Sequence, residues 1–381
     1  MAEPLRICYL GSYDREHVRN CVMITGLERL GVQVIEVHEQ VWEDTAQRVS
    51  AARRGLLQPG LWWRLARAYA RLAWRYTRCP RHDLVIVGHP GQLDLPLARA
   101  LSKLRRVPLA FDSLVTLYDT IVEDRRLLSP DSLSARALLW LEKLLYRWPD
   151  RVLTDTEAQA RFLQTRYGVR DERLRRVWVG APDDLPTPPS PGARTPGPFR
   201  VVYFGKFIPL HGLEVVLRAA HLLCGHADIR FELMGDGQTH AQMCALAREL
   251  ALDNVVFAPE WLPLETLAGR VAGAGACLGV FGPSAKAQRV IPTKAYLALA
   301  WGLPLVTGDS AGVTELLTHG RHALLCDPLD PRSLADAILR LYQDPALASR
   351  LARQGRALYE QHCTPAAIGA AIRDIAHELV R

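Results

Sequence analysis

Short β-rich runs alternate with helical stretches twice along this chain, and a proline-rich interval separates the two series. Leu5–Leu10, Val32–Val37, Asp83–Gly88, Val107–Phe111 and Arg151–Thr154 read as strands, with helical patterns at Glu16–Leu30, Leu93–Leu104 and Ala135–Arg147 between them. The rhythm restarts at Phe199–Gly205 and continues through Ile229–Met234, Val255–Phe257, Ala276–Phe281, Leu305–Thr307 and Ala323–Cys326. Alternation of this kind builds parallel βαβ units, since two parallel strands need a crossover long enough to hold a helix. The expectation is an α/β protein of two doubly wound, Rossmann-like domains facing a central cleft, with ligands beyond the carboxyl ends of the strands. The domains are expected at 1–180 and 199–360, with a proline-rich linker at 181–198. A last segment, 361–381, carries Ile368, Ile372, Ile375, Ala376 and Leu379 at helical spacing, and is expected to pack back on the first domain.

A length of 381 residues fits two domains. The net charge of +7 is concentrated, with nine arginines and no acidic residue between Arg48 and His82. Within that run, Arg64, Arg67, Arg71 and Arg75 share one helical face of the Arg/Trp-rich segment 61–78. Two readings fit it: a helix resting on an anionic membrane surface, or a core-packed helix with a solvated face. Nucleic acid is not an expected partner, because no recognition motif accompanies the charge. None of the eight cysteines forms a C-x-x-C pair, so free thiols and no metal site are expected. No stretch reaches the ~20 apolar residues that cross a bilayer. A strand-like run starts at Leu5 with no leader before it, and the expected location is cytoplasmic, with the inner face of the plasma membrane as a peripheral alternative.

The loops that follow strands carry the candidate chemistry. Gly205-Lys206 follows one strand and His211-Gly212 opens the next helix; Gly235-Asp236-Gly237 follows another. Glycine lets backbone approach a ligand and a helix N-terminus offers free N–H groups to phosphate, although each of these turns alone fits an ordinary structural turn. The stretch from Phe281 to Gly302 says more. A basic loop runs into a helix with Pro292 in the first turn, so that Arg289 and Lys294 flank a helix N-terminus, the setting of an anion site. A complete G-x-G-x-x-G fingerprint is absent, which disfavours a dehydrogenase.

These residues resemble the retaining glycosyltransferase family 4, whose members have the GT-B fold. Gly205-Lys206 through His211-Gly212 resembles the family's G-R-L-x-x-x-K-G stretch, Gly235-Asp236-Gly237 its G-D-G turn, Lys294 to Val306 its helix ending in A-x-G-x-P-V, and Glu315 with Gly320 and Asp327 its closing segment. Asp155-Thr156-Glu157-Ala158 resembles the S-E-A near the end of the first domain. The resemblance implies a nucleotide-diphosphate sugar as substrate, no cofactor and no metal, and Gly11, Gly205, Lys206, His211, Gly235, Asp236, Arg289, Lys294 and Glu315 as donor-binding residues. It also exposes a departure: where the family has two glutamates that contact the donor sugar and ribose, this chain has Arg289 and Leu297.

The first domain is left to supply the acceptor side. Gly11-Ser12, Gly88-His89 and Phe111-Asp112 all end strands. Family members often carry a histidine where Asp112 falls, so Asp112 is the first candidate to orient or deprotonate an acceptor hydroxyl and His89 the second. The expected activity is transfer of a sugar from a nucleotide-diphosphate sugar to an unidentified glycan, lipid-linked or small-molecule acceptor, retaining and metal-independent. A sugar-nucleotide epimerase and a donor-binding subunit without transfer activity remain the alternatives.

Overall fold

The computed structural model describes residues 4–41, 59–185, 197–258 and 262–380, with the side chains of 59–62 left aside. The central part of the expected linker and the arginines at 48, 53 and 54 lie outside the described residues. Contacts divide the chain into Met1–Val179 together with Pro365–Arg381, and Gly180–Thr364.

In the first unit the strands are β1 (Arg6–Gly11), β2 (Gln33–His38), β3 (Leu84–Val87), β4 (Leu109–Asp112), β5 (Arg151–Thr154) and β6 (Leu174–Arg176). The helices are α1 (Val18–Arg29), α2 (Pro59–Arg78), α3 (Leu95–Arg105), α4 (Leu133–Leu145) and α5 (Glu157–Tyr167). All strand pairs are parallel, in the order β2-β1-β3-β4-β5-β6. Central strands such as Leu84–Val87 are buried at every position, as a sheet covered on both faces requires. Cys8, Leu10, Val85, Val87 and Phe111 point to one face, where Leu72 and Tyr76 of α2 and Leu95 and Ala98 of α3 cover them. Ile7, Tyr9, Leu84 and Ile86 point to the other, under Val22, Met23 and Leu27 of α1.

The second unit has β7 (Phe199–Phe204), β8 (Ile229–Met234), β9 (Val255–Ala258), β10 (Ala276–Leu278), β11 (Leu305–Gly308) and β12 (Leu324–Cys326). Its helices are α6 (Leu213–Leu222), α7 (His240–Glu249), α8 (Leu264–Val271), α9 (Thr293–Ala300), α10 (Pro331–Gln343) and α11 (Pro345–His362). The parallel sheet runs β12-β11-β10-β7-β8-β9. Pro331 and Pro345 occupy first-turn positions of α10 and α11, where a missing N–H costs nothing, and Asp330 and Asp344 cap those turns through Arg332 and Leu347 N–H.

The last helix, α12 (Pro365–Val380), belongs to the first unit. Ile368, Ile372 and Ile375 complete the α1 face of the first sheet, a burial of about 1.5–3 kcal/mol for each side chain. The two helices meet through small residues: a Cβ on Gly26 would stand 2.0 Å from the Pro365 carbonyl oxygen, and one on Gly369 would stand 2.2 Å from the Gly26 backbone. The change of unit comes at Thr364–Pro365, so 361–362 are the end of α11 rather than the start of the terminal helix.

Candidate active site

The order of the second sheet places β7 beside β10, with the chain running outward from β7 through β8 and from β10 through β11 in opposite directions. A crevice opens at such a reversal, beyond the carboxyl ends of the two strands. Gly205 and Lys206 leave β7 there, and the loop after β10 carries Arg289 into α9, whose first turn holds Lys294. The turn after β8 lies against them: a Cβ on Gly235 would come within 2.1 Å of the Gly205 carbonyl oxygen. Gly205 and Gly235 both have positive φ, at 130° and 123°, which favours glycine at each, and the close backbone approach adds a second reason at Gly235.

Lys294 is the most informative group. It is 6% exposed, and its Nζ has no hydrogen-bond acceptor among the described residues. The ammonium lies 3.6 Å from the centroid of the Tyr203 ring, a cation–π contact, and 3.2 Å from where a Cβ of Gly205 would be. Burial pushes its pKa well below the ordinary lysine value, with the Cys277 thiol opposing weakly. The N-cap of α9 is Pro292, which supplies no side-chain cap, so the first-turn N–H groups of the helix add to the positive potential at this place.

Tyr203 and His211 hold the loop in shape. The Tyr203 hydroxyl donates to the Lys206 carbonyl at 2.8 Å and lies 2.6 Å from His211 Nδ1, which is itself 2.5 Å from the same carbonyl. One His211 ring nitrogen is therefore turned into the loop. Lys206 and Arg289 are half-buried, and Asp236 is exposed with its carboxylate accepting the Gly237 N–H. Glu315 ends a 3-10 turn whose Gly312 abuts the Arg289 backbone. Leu297, at the position of the second family glutamate, is buried. Lys286, a second lysine buried in the same loop, drew no notice in sequence; nor did Tyr203, since an aromatic in a parallel strand reads as core.

The first sheet reverses between β1 and β3. Gly11 and Ser12 leave β1 beside Asp94, whose carboxylate accepts the Ser12 N–H at 2.6 Å and the Ser12 hydroxyl at 3.1 Å. Gly88 and His89 leave β3. Asn20 holds His89 by its backbone, accepting from His89 N–H at 3.1 Å and donating to His89 O at 2.6 Å, and the His89 ring lies 5.2 Å from that of His17. Sequence reasoning missed Asn20 and Asp94, for which no local motif exists.

Asp112 departs from expectation. It is fully buried and bound by an equally buried Arg19: Nε lies 2.8 and 2.9 Å from the two carboxylate oxygens and Nη2 lies 2.6 Å from Oδ1, while Nη1 donates to Val177 O at 2.7 Å. A carboxylate so enclosed has its charge matched and no exposed surface on which to meet an acceptor. The geometry makes it an internal ion pair with Arg19.

Two family descriptions match the chain: "Glycosyl transferase 4-like domain" over residues 18–180 and "Glycosyl transferases group 1" over residues 198–344. The D-inositol 3-phosphate glycosyltransferase of a Nocardioides species is 30% identical over 226 residues, covering 53% of this chain and 48% of that protein. The lipopolysaccharide core biosynthesis glycosyltransferase LpsD of Rhizobium meliloti is 30% identical over 173 residues, covering 45% and 48%. The chain spans about half the length of these curated relatives. Among solved structures, the sucrose-phosphate synthase of Thermosynechococcus elongatus aligns with a TM-score of 0.71 at 17% identity over 99% of both chains. Anabaena HepE in complex with UDP and glucose aligns with a TM-score of 0.68 at 17% identity, over 99% of this chain and 100% of that one. At such identity the two structures speak for a shared fold.

Proposed function

We propose, from the premise that this chain is a GT-B glycosyltransferase resembling family 4, that its C-terminal unit grips the diphosphate of a UDP-sugar. The sugar passes to a hydroxyl acceptor with retained configuration and without a divalent cation. The observation that carries the reading is the Lys294 amine, buried under Gly205 at the start of a helix with no acceptor among the described residues. Burial disfavours the charged form of Lys294, and an anion beside it would restore that form. In the transfer the bond from the anomeric carbon to the diphosphate oxygen breaks while the acceptor oxygen bonds to that carbon and loses its proton. Negative charge builds on the departing diphosphate, where Lys294, Lys206, Arg289 and the first-turn N–H groups of α9 stabilise it.

The choice of uridine follows Anabaena HepE, whose structures hold UDP and UDP-glucose. On the N-terminal unit the reading assigns the acceptor hydroxyl to His89 and withdraws Asp112. Arg289 and Leu297 leave the donor sugar without the family's two glutamates, so its hydroxyls are recognised by other groups. The reading extends to the outer face of α2, which would rest on an anionic membrane surface. Leu65, Ala68, Leu72 and Tyr76 of that helix are buried, while Arg67, Arg71, Arg75, Arg78, Trp63 and Trp74 face outward. Among the described residues no helix is long and apolar enough to cross a membrane.

Thermal shifts with UDP, GDP, ADP and their sugar conjugates test the donor site, because a ligand that binds only the native state raises the melting temperature by mass action. UDP and one or more UDP-sugars are expected to raise it, and slow UDP release from the conjugate is expected to quicken with a suitable acceptor. No shift with any diphosphate overturns the reading; binding without release at any acceptor leaves a donor-binding subunit.

A further inference from the structure

Away from the site just described, three side chains come together under the first sheet, two of them the ends of the Cys79-Pro80-Arg81-His82 turn. Cys8 lies in the middle of β1, Cys79 directly follows α2, and His82 precedes β3. Their Sγ, Sγ and imidazole nitrogen atoms all lie within 4.8 Å of one another. We infer that Cys8, Cys79 and His82 form a zinc site that ties the base of α2 to an inner strand of the N-terminal sheet.

The distances suit the ion. Zinc bonds of about 2.3 Å to sulfur and about 2.0 Å to nitrogen, at a tetrahedral angle, set the two ligand atoms about 3.5 Å apart. Cys79 Sγ and His82 Nδ1 are 3.6 Å apart. Two thiolates and an imidazole are a soft donor set that favours zinc over magnesium or calcium, and water completes the tetrahedron. Cys8 and His82 are buried while Cys79 is half-buried, which leaves a way in for the ion.

The surroundings orient the ligands. His82 Nε2 lies 2.9 Å from the Tyr76 hydroxyl, the second contact that metal-bound imidazoles usually make. Without metal, Nδ1 is 3.0 Å from Pro80 O, to which it can give its proton. When Nδ1 binds zinc, the ring proton sits on Nε2, where the Tyr76 oxygen accepts it, and the two thiols release their protons to solvent. Arg105 fixes the turn between the ligands, with Nη2 donating to Tyr76 O and Thr77 O at 3.0 Å each and Nη1 to Pro80 O at 3.2 Å.

The whole chain, purified without chelator, is expected to carry one zinc per molecule by elemental analysis. Exchange for Co²⁺ is expected to add the thiolate-to-cobalt charge-transfer band in the near ultraviolet. Cys79→Ser and His82→Gln abolish the band, Tyr76→Phe weakens metal affinity by about tenfold, and Cys224→Ser, at an exposed thiol elsewhere, leaves it intact. Circular dichroism of each variant separates loss of ligand from loss of fold. Wild-type protein that retains no metal, a band that survives Cys79→Ser, or a Cys8–Cys79 disulfide in the isolated protein overturns the site.

Discussion

Arg19 and Lys294 are both basic, both buried and both beside the carboxyl ends of central parallel strands, yet their surroundings are opposites. Arg19 has its guanidinium shared between the Asp112 carboxylate and a backbone carbonyl. Lys294 has an aromatic face and, among the described residues, no hydrogen-bond acceptor. The first arrangement is complete without any other molecule, and the second is the one that the proposed diphosphate would complete. Burial alone therefore does not set the two apart; the presence or absence of a counter-charge does.

The largest test of this contrast is Arg19→Met. It strands Asp112 as an uncompensated buried charge and should cost about 3–5 kcal/mol in chemical denaturation. Its companion, Asp112→Asn, should also lower stability, but at temperatures where the variant stays folded its kcat should fall by less than the ~100-fold minimum expected for loss of a general base. A larger fall would restore Asp112 to the chemistry. Next in size is Lys294→Met. Loss of a charge-assisted contact worth about 1.5–3 kcal/mol should weaken UDP binding roughly 10–100-fold by calorimetry. Stability without ligand should hold or rise, since a desolvated ammonium has gone. A drop in ligand-free stability with unchanged UDP affinity would make Lys294 a second Arg19.

Glu142 is the intermediate case, a buried carboxylate met by neutral donors alone: the N–H groups of Leu117 and Tyr118 at 2.6 and 2.8 Å and the Tyr167 hydroxyl at 3.0 Å. Burial raises its pKa to about 7, against the lowering effect of those donors. Between the ordinary glutamate value and about 7 the native protein keeps a proton that the unfolded chain has lost. Its contribution to stability is therefore present below that window and lost as pH rises through it, by up to about 1.4 kcal/mol per unit. Denaturation of wild type and Glu142→Gln across this range should show the slope in the first and a flatter line in the second. Parallel lines would mean that Glu142 is ionised throughout.

The alternation of strands and helices was legible because buried parallel strands are continuous apolar runs, as in Leu84–Val87, and glycine or proline punctuates them. β6 escaped notice: Leu174-Arg175-Arg176 has no apolar period, and its place at the sheet edge comes from β5 beside it. Lys294 was legible from its position behind Pro292 at a helix start, whereas its seat on Tyr203 depends on two segments 91 residues apart. Arg19 was not legible, because an arginine in a short amphipathic helix looks solvated until Asp112 is brought to it from 93 residues away. The trio of Cys8, Cys79 and His82 likewise joins β1 to a turn far along the chain; Cys79-Pro80-Arg81-His82 is a local C-x-x-H signal that passed unread, and nothing local pointed to Cys8.

The packing of α12 on α1 has a consequence for how the protein is made. Residues 365–380 leave the ribosome after everything from Gly180 to Thr364, so the middle of the chain can finish folding before its beginning does. Until then Val22, Met23 and Leu27 lack the isoleucines that cover them, and a nascent chain halted just short of that point would expose a sticky stripe for chaperones to guard.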